Sequence, residues 1–519
     1  MNRDKSKSKK KRKYLRGLGT AAVLLFVFLS VLLIESAKWL KIVYGDIEFS
    51  TVVYQMLSPL KGTDHGIIYQ YITECVPQVL LWTSILVITI ILNNCILSRL
   101  SLKCAVSFGA GHNLRIQSKK PLYPCAVIVV LLFVLYTEAD KVGCIDFIKD
   151  AASKSTLYEE EYVSQDDIEI LFPEEKRNMI LIYIESMEST FANTAAGGGK
   201  AVDYMPELTQ LAEDNLYFSN SDKLGGALQC EGTDWTMAGI LASSTGVNYK
   251  LPITRNTEKE YESLWPGLKG IGNILEEAGY KNYYLCGSNA DFAGKRTFLM
   301  SHGDYEIFDR RVAIKEGIIA EDYFVFWGME DSYTFDWAKQ KLAILGAQEE
   351  PFNFTMLTAD THFPEGYICE LCDNKYPEQY GNVIACSSRQ IAEFVEWIQA
   401  QPWYENTTII LIGDHISMNE TFYDDIGDYK RTIYNCFINV PKELDTEHTK
   451  YRQYSTMDYY PTILTSLGIE IEGNRLGLGT NLFSGEDTLI EKLGYEQFNA
   501  ELKKSSMYYL LKFCVASDD

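Results

Sequence analysis

Asn178-Met179-Ile180-Leu181-Ile182-Tyr183-Ile184-Glu185-Ser186 is the stretch that decides how this chain is read. Six successive apolar residues without polar alternation suit a strand buried on both faces, and a carboxylate follows at once. Similar short runs recur at 283–285 (YYL), 354–357 (FTML) and 408–412 (TIILI), with amphipathic stretches such as 264–278 and 388–399 between them. Strands alternating with helices predict an α/β domain with a mostly parallel sheet flanked by helices. In such sheets ligands sit beyond the carboxyl ends of the strands. Here the runs lead into Glu185, Cys286-Gly287-Ser288, Asp360-Thr361-His362 and Gly413-Asp414-His415.

Glu185, Asp414 and His415 together offer two carboxylates and an imidazole, a mixed oxygen and nitrogen set suited to Mn²⁺, Mg²⁺ or Zn²⁺. An isolated Asp-His pair is more often a loop cap than a ligand; its place at a strand end is what raises it to a candidate. The stretch Glu231-Gly232-Thr233-Asp234-Trp235-Thr236-Met237-Ala238-Gly239 supplies hydroxyls where a helix is predicted to begin. A helix N-terminus favours an anion such as a phosphoryl group. Thr233 is the expected nucleophile, with Thr236 and Ser243 as alternatives, and a simple capping role for Thr233 competes with all of them.

The N-terminal third has a different composition. Residues 1–120 hold 17 Lys/Arg and 6 Asp/Glu, whereas the remainder holds 31 and 64, within an overall charge of −22. So acidic a domain argues against a nucleic-acid partner, which rewards dense Lys/Arg. Apolar stretches at 17–34, 76–97 and 121–136 predict three transmembrane helices across a hydrocarbon core of ~30 Å. The first lacks a small-residue cleavage site and reads as a retained anchor. Nine basic residues precede it, and the loop before the third span carries Arg99, Lys103, Arg115, Lys119 and Lys120 with no acid. The positive-inside rule puts both segments in the cytoplasm and everything after the third span outside it. The expected organisation is a basic cytoplasmic tail (1–16), a membrane region (17–137), an acidic juxtamembrane linker (138–176) and an extracytoplasmic catalytic domain (177–519).

Four motifs, in order, carry a family resemblance: Asn178 to Ser186; Gly232-Thr233-Asp234-Trp235-Thr236-Met237-Ala238-Gly239; Asp360-Thr361-His362-Phe363-Pro364; and Gly413-Asp414-His415. Over roughly residues 177–485 the chain resembles the alkaline phosphatase/sulfatase superfamily, and within it the phosphoglycerol transferases and lipoteichoic acid synthases. That resemblance implies one divalent metal, Mn²⁺ by preference, on Glu185, Thr233, Asp414 and His415. It implies that Thr233 attacks phosphatidylglycerol and that glycerol phosphate passes through a covalent threonine intermediate to a glycan or polyglycerophosphate acceptor. His362 matches the family's substrate-side histidine. Lys295, in Phe292-Ala293-Gly294-Lys295, is similar to a segment of osmoregulated-glucan phosphoglycerol transferases in which a cation faces the substrate phosphate. The chain departs from the synthases in its three predicted spans, where they usually have five, and in the segment around residue 286, which has Cys286 and Ser288 where they place a substrate histidine.

The rival readings are a phosphoethanolamine transferase, a sulfatase-type hydrolase and an inactive binding module. Cys230 is followed by Glu231-Gly232-Thr233-Asp234, without the proline and arginine a sulfatase needs for formylglycine formation. Of the twelve cysteines, Cys369, Cys372 and Cys386 have spacing that suggests zinc, but no fourth ligand is evident. For an extracytoplasmic domain a disulfide involving Cys369 or Cys372 is the expectation.

Overall fold

The computed structural model describes residues 2–44, 48–57, 65–96, 103–108, 112–117, 123–251 and 263–515. The chain divides into two compact units, Met1–Ile47 with Asp64–Asp146, and Glu48–Thr63 with Phe147–Asp519.

In the first unit, helices α1 (Asn2–Tyr44), α3 (His65–Ile96) and α4 (Tyr123–Lys141) meet around a small core that includes Val27, Val31, Val79, Ile90, Val127 and Leu131. Their outward residues Leu25, Leu29, Leu33, Ile88, Leu92, Val129 and Phe133 are apolar and exposed, which suits a lipid surround rather than water. Among the described residues two helices are long and apolar enough to cross a membrane, Leu18–Tyr44 and Ile68–Leu92. The third expected span is a correction. It is helical as α4, but its apolar run closes at Thr137-Glu138. At 1.5 Å per residue, the twelve apolar residues 125–136 cover about 18 Å, well short of a hydrocarbon core.

The second unit is a three-layer α/β/α domain. Its strands are β1 (Asn178–Ile184), β2 (Lys281–Cys286), β3 (Glu306–Phe308), β4 (Phe352–Leu357), β5 (Thr407–Gly413) and β6 (Asn435–Ile438), in the order β3-β2-β4-β1-β5-β6. All neighbours run parallel except β5 and β6, so the expected mostly parallel sheet is a mixed one with an antiparallel edge. β1 sits centrally, and its alternation explains its unbroken apolar run. Met179, Leu181 and Tyr183 enter one core while Ile180, Ile182 and Ile184 enter the other.

Each core has its own helices. The first is covered by α6 (Thr236–Thr245), α7 (Ile271–Glu277) and α11 (Tyr459–Thr465), and the second by α5 (Pro206–Asp214), α9 (Asp331–Leu345) and α10 (Gln379–Gln399). Between α7 and α9 lies the short helix α8 (Lys295–Ser301). The register matters most for the site. Ile184 pairs with Gly413 and Tyr183 with Leu357, so the residues after β1, β4 and β5 emerge side by side at one edge.

Two segments outside the expected domain limits belong to this unit. The stretch 147–176 is joined to the C-terminal part by pairing of Ile170–Leu171 with Glu470–Ile471. Helix α2 (Phe49–Leu57), which separates the first two apolar helices in the sequence, is also part of it, with Tyr54 against the Tyr249 ring at 6.0 Å.

Candidate active site and metal centre

Glu185 leaves β1 into a turn that Ser186 makes in the left-handed region, at φ 54°. A non-glycine residue held there is strained, and such strain gathers where surrounding structure imposes it. Here the turn is held by the Ser186 N–H donating to Asp414 Oδ1 at 2.8 Å and by the Ser186 hydroxyl donating to Glu185 Oε1 at 2.7 Å. The His415 N–H donates to the same Asp414 oxygen at 2.9 Å. His415 Nδ1 lies 2.8 Å from the Ile416 carbonyl, which fixes the ring with Nε2 facing Glu185 Oε1 at 3.3 Å and Asp414 Oδ2 at 3.5 Å.

All three side chains are buried, and one ligand atom from each lies within 4.8 Å of the others. Asp414 Oδ2 has no hydrogen-bond partner although it is fully buried. Burial by itself would lower the His415 imidazole, yet the Asp414 and Glu185 charges push it up to about 10. Burial, then the Glu185 charge, drives the Asp414 carboxyl up to about 7. Burial would raise Glu185 as well, but the His362 and His415 charges and the Ser186 and His415 hydrogen bonds hold it at about 2. Two buried carboxylates with one imidazole and an orphaned oxygen need positive charge, and their donor atoms fit a hard or borderline divalent cation. The residues present therefore fit the metal that the motifs imply.

The two threonines of the second motif separate clearly. Thr233 is fully buried, and its hydroxyl donates to the Cys230 carbonyl and accepts from the Cys230 N–H, both at 2.9 Å. Both of these hydrogen bonds hold the turn before α6, and neither is to Glu185, Asp414 or His415. Thr236 opens α6, is partly exposed, and donates to Glu185 Oε2 at 3.2 Å. Helix α6 reaches the sheet edge because Gly239 lacks a side chain: a Cβ there would stand 2.0 Å from the Asp414 carbonyl oxygen. Ser243 lies deeper in α6, bonded to the Tyr183 hydroxyl at 2.8 Å.

Lys295 begins α8 immediately after Ala293 and Gly294, both with positive φ. It is only 4% exposed, and among the described residues no carboxylate lies within salt-bridge distance of it. Burial lowers its ammonium pKa, opposed by Cys286 and by the Glu185 and Asp414 charges, which marks its electrostatic link to the cluster. His362 is half-buried with its ring 4.5 Å from that of Trp327, and its Nδ1 lies 2.8 Å from the Phe363 carbonyl. Burial lowers its pKa, with the Glu185 charge pulling the other way. Phe292 and Phe326 extend the aromatic wall, at 5.5 Å from Trp327 and 6.1 Å from His362.

Sequence reading missed the contribution of α2. Thr51 donates to Asp234 Oδ2, two residues before Thr236. Burial raises Asp234 to about 6 and, with the Asp234 charge, Glu231 to about 7. Only the polarity of Ser50 and Thr51 at the start of a largely apolar segment hinted at this.

Residues 177–469 match the Sulfatase family model. The chain belongs to the sulfatase family and is an enzyme of that superfamily. Among curated relatives it is 33% identical over 320 residues to phosphoglycerol transferase I of Escherichia coli, which covers 60% of this chain and 40% of the relative, and equally to that of Salmonella choleraesuis. The chain thus spans two fifths of the length of those relatives. Among solved structures it is similar to the lipoteichoic acid synthase LtaP from Listeria monocytogenes, at 16% identity and a TM-score of 0.47, over 63% of this chain and 80% of that one.

Proposed function

We propose that this protein is a membrane-anchored phosphoglycerol transferase that moves glycerol phosphate from phosphatidylglycerol to an extracytoplasmic glycan or polyglycerophosphate, with Thr236 rather than Thr233 as nucleophile. The observation that carries the reading is the Thr236 hydroxyl: partly exposed, at a helix start, and bonded to Glu185 of a buried cluster short of positive charge. The likeness in sequence to phosphoglycerol transferase I supports the substrate class.

Glu185, Asp414 and His415 would hold the cation, Mn²⁺ by the family resemblance, and when bound it supplies Lewis acidity that lowers the pKa of a nearby hydroxyl and offsets phosphoryl charge. Thr236 attacks the phosphorus, the bond to diacylglycerol breaks, and diacylglycerol leaves with the proton. Glycerophosphate is then esterified to Thr236 at the N-terminus of α6, where backbone N–H groups favour an anion. Lys295, buried and without a carboxylate partner among the described residues, offers its ammonium to the phosphoryl oxygens. His362, with Nδ1–H directed to its own loop, presents an accepting Nε2 suited to take the proton of the incoming acceptor hydroxyl. The two apolar helices anchor the enzyme beside its lipid donor.

The test follows diacylglycerol release from labelled phosphatidylglycerol by detergent-solubilised protein with Mn²⁺. Thr236→Ala should lose turnover by on the order of 10³-fold or more, while Thr233→Ala keeps it per folded molecule, and mass spectrometry should find glycerophosphate on the Thr236 peptide. Full turnover by Thr236→Ala would refute the nucleophile. Preferential transfer from labelled phosphatidylethanolamine would replace the donor.

A further inference from the structure

Helix α10 and the loop before it gather three thiols that the reaction above does not use. Cys369 Sγ stands 3.6 Å from Cys372 Sγ and 3.7 Å from Cys386 Sγ, all three sulfurs lie within 4.8 Å of one another, and none is bonded to another. The disulfide expected for Cys369 or Cys372 is therefore absent, and any such pair would leave an odd thiol in contact with it. Disulfide sulfurs are about 2.0 Å apart. Thiolates at three corners of a zinc tetrahedron, each about 2.3 Å from the ion, are about 3.8 Å apart. The observed spacing is that of the second arrangement.

A fourth group faces the same point. Gln390, four residues after Cys386 on α10 and 6% exposed, places its amide nitrogen 3.3 Å from Cys386 Sγ and 3.9 Å from Cys369 Sγ, while its carbonyl oxygen is buried without a partner. In a tetrahedron of three sulfurs and one oxygen the oxygen-to-sulfur edge is about 3.6 Å, between those two distances. A half-turn of the amide about its last side-chain bond presents the oxygen instead of the nitrogen to the sulfurs. Three thiolates around a divalent ion leave one negative charge, and the Arg389 guanidinium, shared with Asp373 at 2.8 Å and with the Leu371 carbonyl, lies 3.8 Å from Cys386 Sγ.

We propose that Cys369, Cys372 and Cys386 bind a zinc ion, with the Gln390 carbonyl in the fourth position. The site is structural. It fastens the 360–372 loop, which carries His362, to α10, where Tyr380 already donates to the Thr361 carbonyl at 3.0 Å. Cys372 is partly exposed and gives the ion its way in.

Cobalt separates this site from the catalytic one. Thiolates bound to Co²⁺ give an intense sulfur-to-metal charge-transfer absorption that a set of carboxylates and imidazole cannot produce. The full-length protein in detergent, reduced, stripped and titrated with Co²⁺, should show this band at one equivalent and lose it to one equivalent of Zn²⁺. Asp414→Asn should keep the band, whereas Cys386→Ser should lose it with an unchanged circular dichroism spectrum. Gln390→Ala should bind zinc about tenfold more weakly, and an unchanged affinity would remove Gln390 from the site. No band while all three thiols titrate as free, or mass spectrometry joining two of them in protein purified without reductant, would overturn the proposal.

Discussion

Glu185 and Glu188 stand three residues apart after the same strand, both carboxylates and both buried, yet their surroundings differ completely. Glu188 is saturated. Arg431 donates to both of its oxygens at 2.6 and 2.8 Å, and Thr190, Tyr423 and the Ser417 N–H add further bonds. Burial would raise its pKa, but Arg431 above all holds it below the usual carboxylate range. Glu185 instead faces another carboxylate and an imidazole, beside an Asp414 oxygen with no partner. A buried charge that holds a fold together comes fully paired with an opposite charge, whereas a cluster kept for chemistry sets carboxylates together and leaves an oxygen, here Asp414 Oδ2, without a partner.

Glu185→Gln should show the largest effect. Turnover per folded molecule should fall by on the order of 10³-fold. Turnover per folded molecule at the wild-type rate would erase the distinction. Glu188→Gln should do the opposite. It leaves Arg431 without its counter-charge and should cost about 3–5 kcal/mol in denaturant unfolding, with activity per folded molecule retained.

A smaller effect is expected at Asp360. Burial, then the Asp331 carboxylate, raises its pKa to about 10, and one of its oxygens has no partner. The folded state thus keeps a proton that the unfolded state gives up near its ordinary value of 3.8. Stability should therefore be fully present at low pH and decline as pH rises from about 4 toward 10. Asp360→Asn, which can still accept from the Asp331 N–H, should flatten that decline in melting curves taken across pH. An unaltered slope would show that other groups set it.

Much of this was legible along the chain. The unbroken run 179–184 announced a strand covered on both faces because no polar side chain could be tolerated on either. Strand-end chemistry then followed from parallel-sheet topology, which brought Glu185, Asp414 and His415 forward as one group. Thr233 and Thr236 could not be ranked the same way. Both flank a predicted helix start, and the difference between them is exposure and direction, which depend on how closely Gly239 lets α6 approach Asp414. The role of α2 was hidden because its partner Asp234 lies 183 residues away.

Local order in the chain, then, determined the strands, the polar residues at their ends, the apolar helices and the charge contrast between the two parts, since each depends on neighbours a few residues apart. Tertiary structure alone decided the register that sets Ile184 beside Gly413, the hydroxyl that reaches Glu185, and the meeting of Cys369 and Cys372 with Cys386. Those outcomes depend on distances of a few ångströms between segments that only packing brings together, and no periodicity in the chain encodes them.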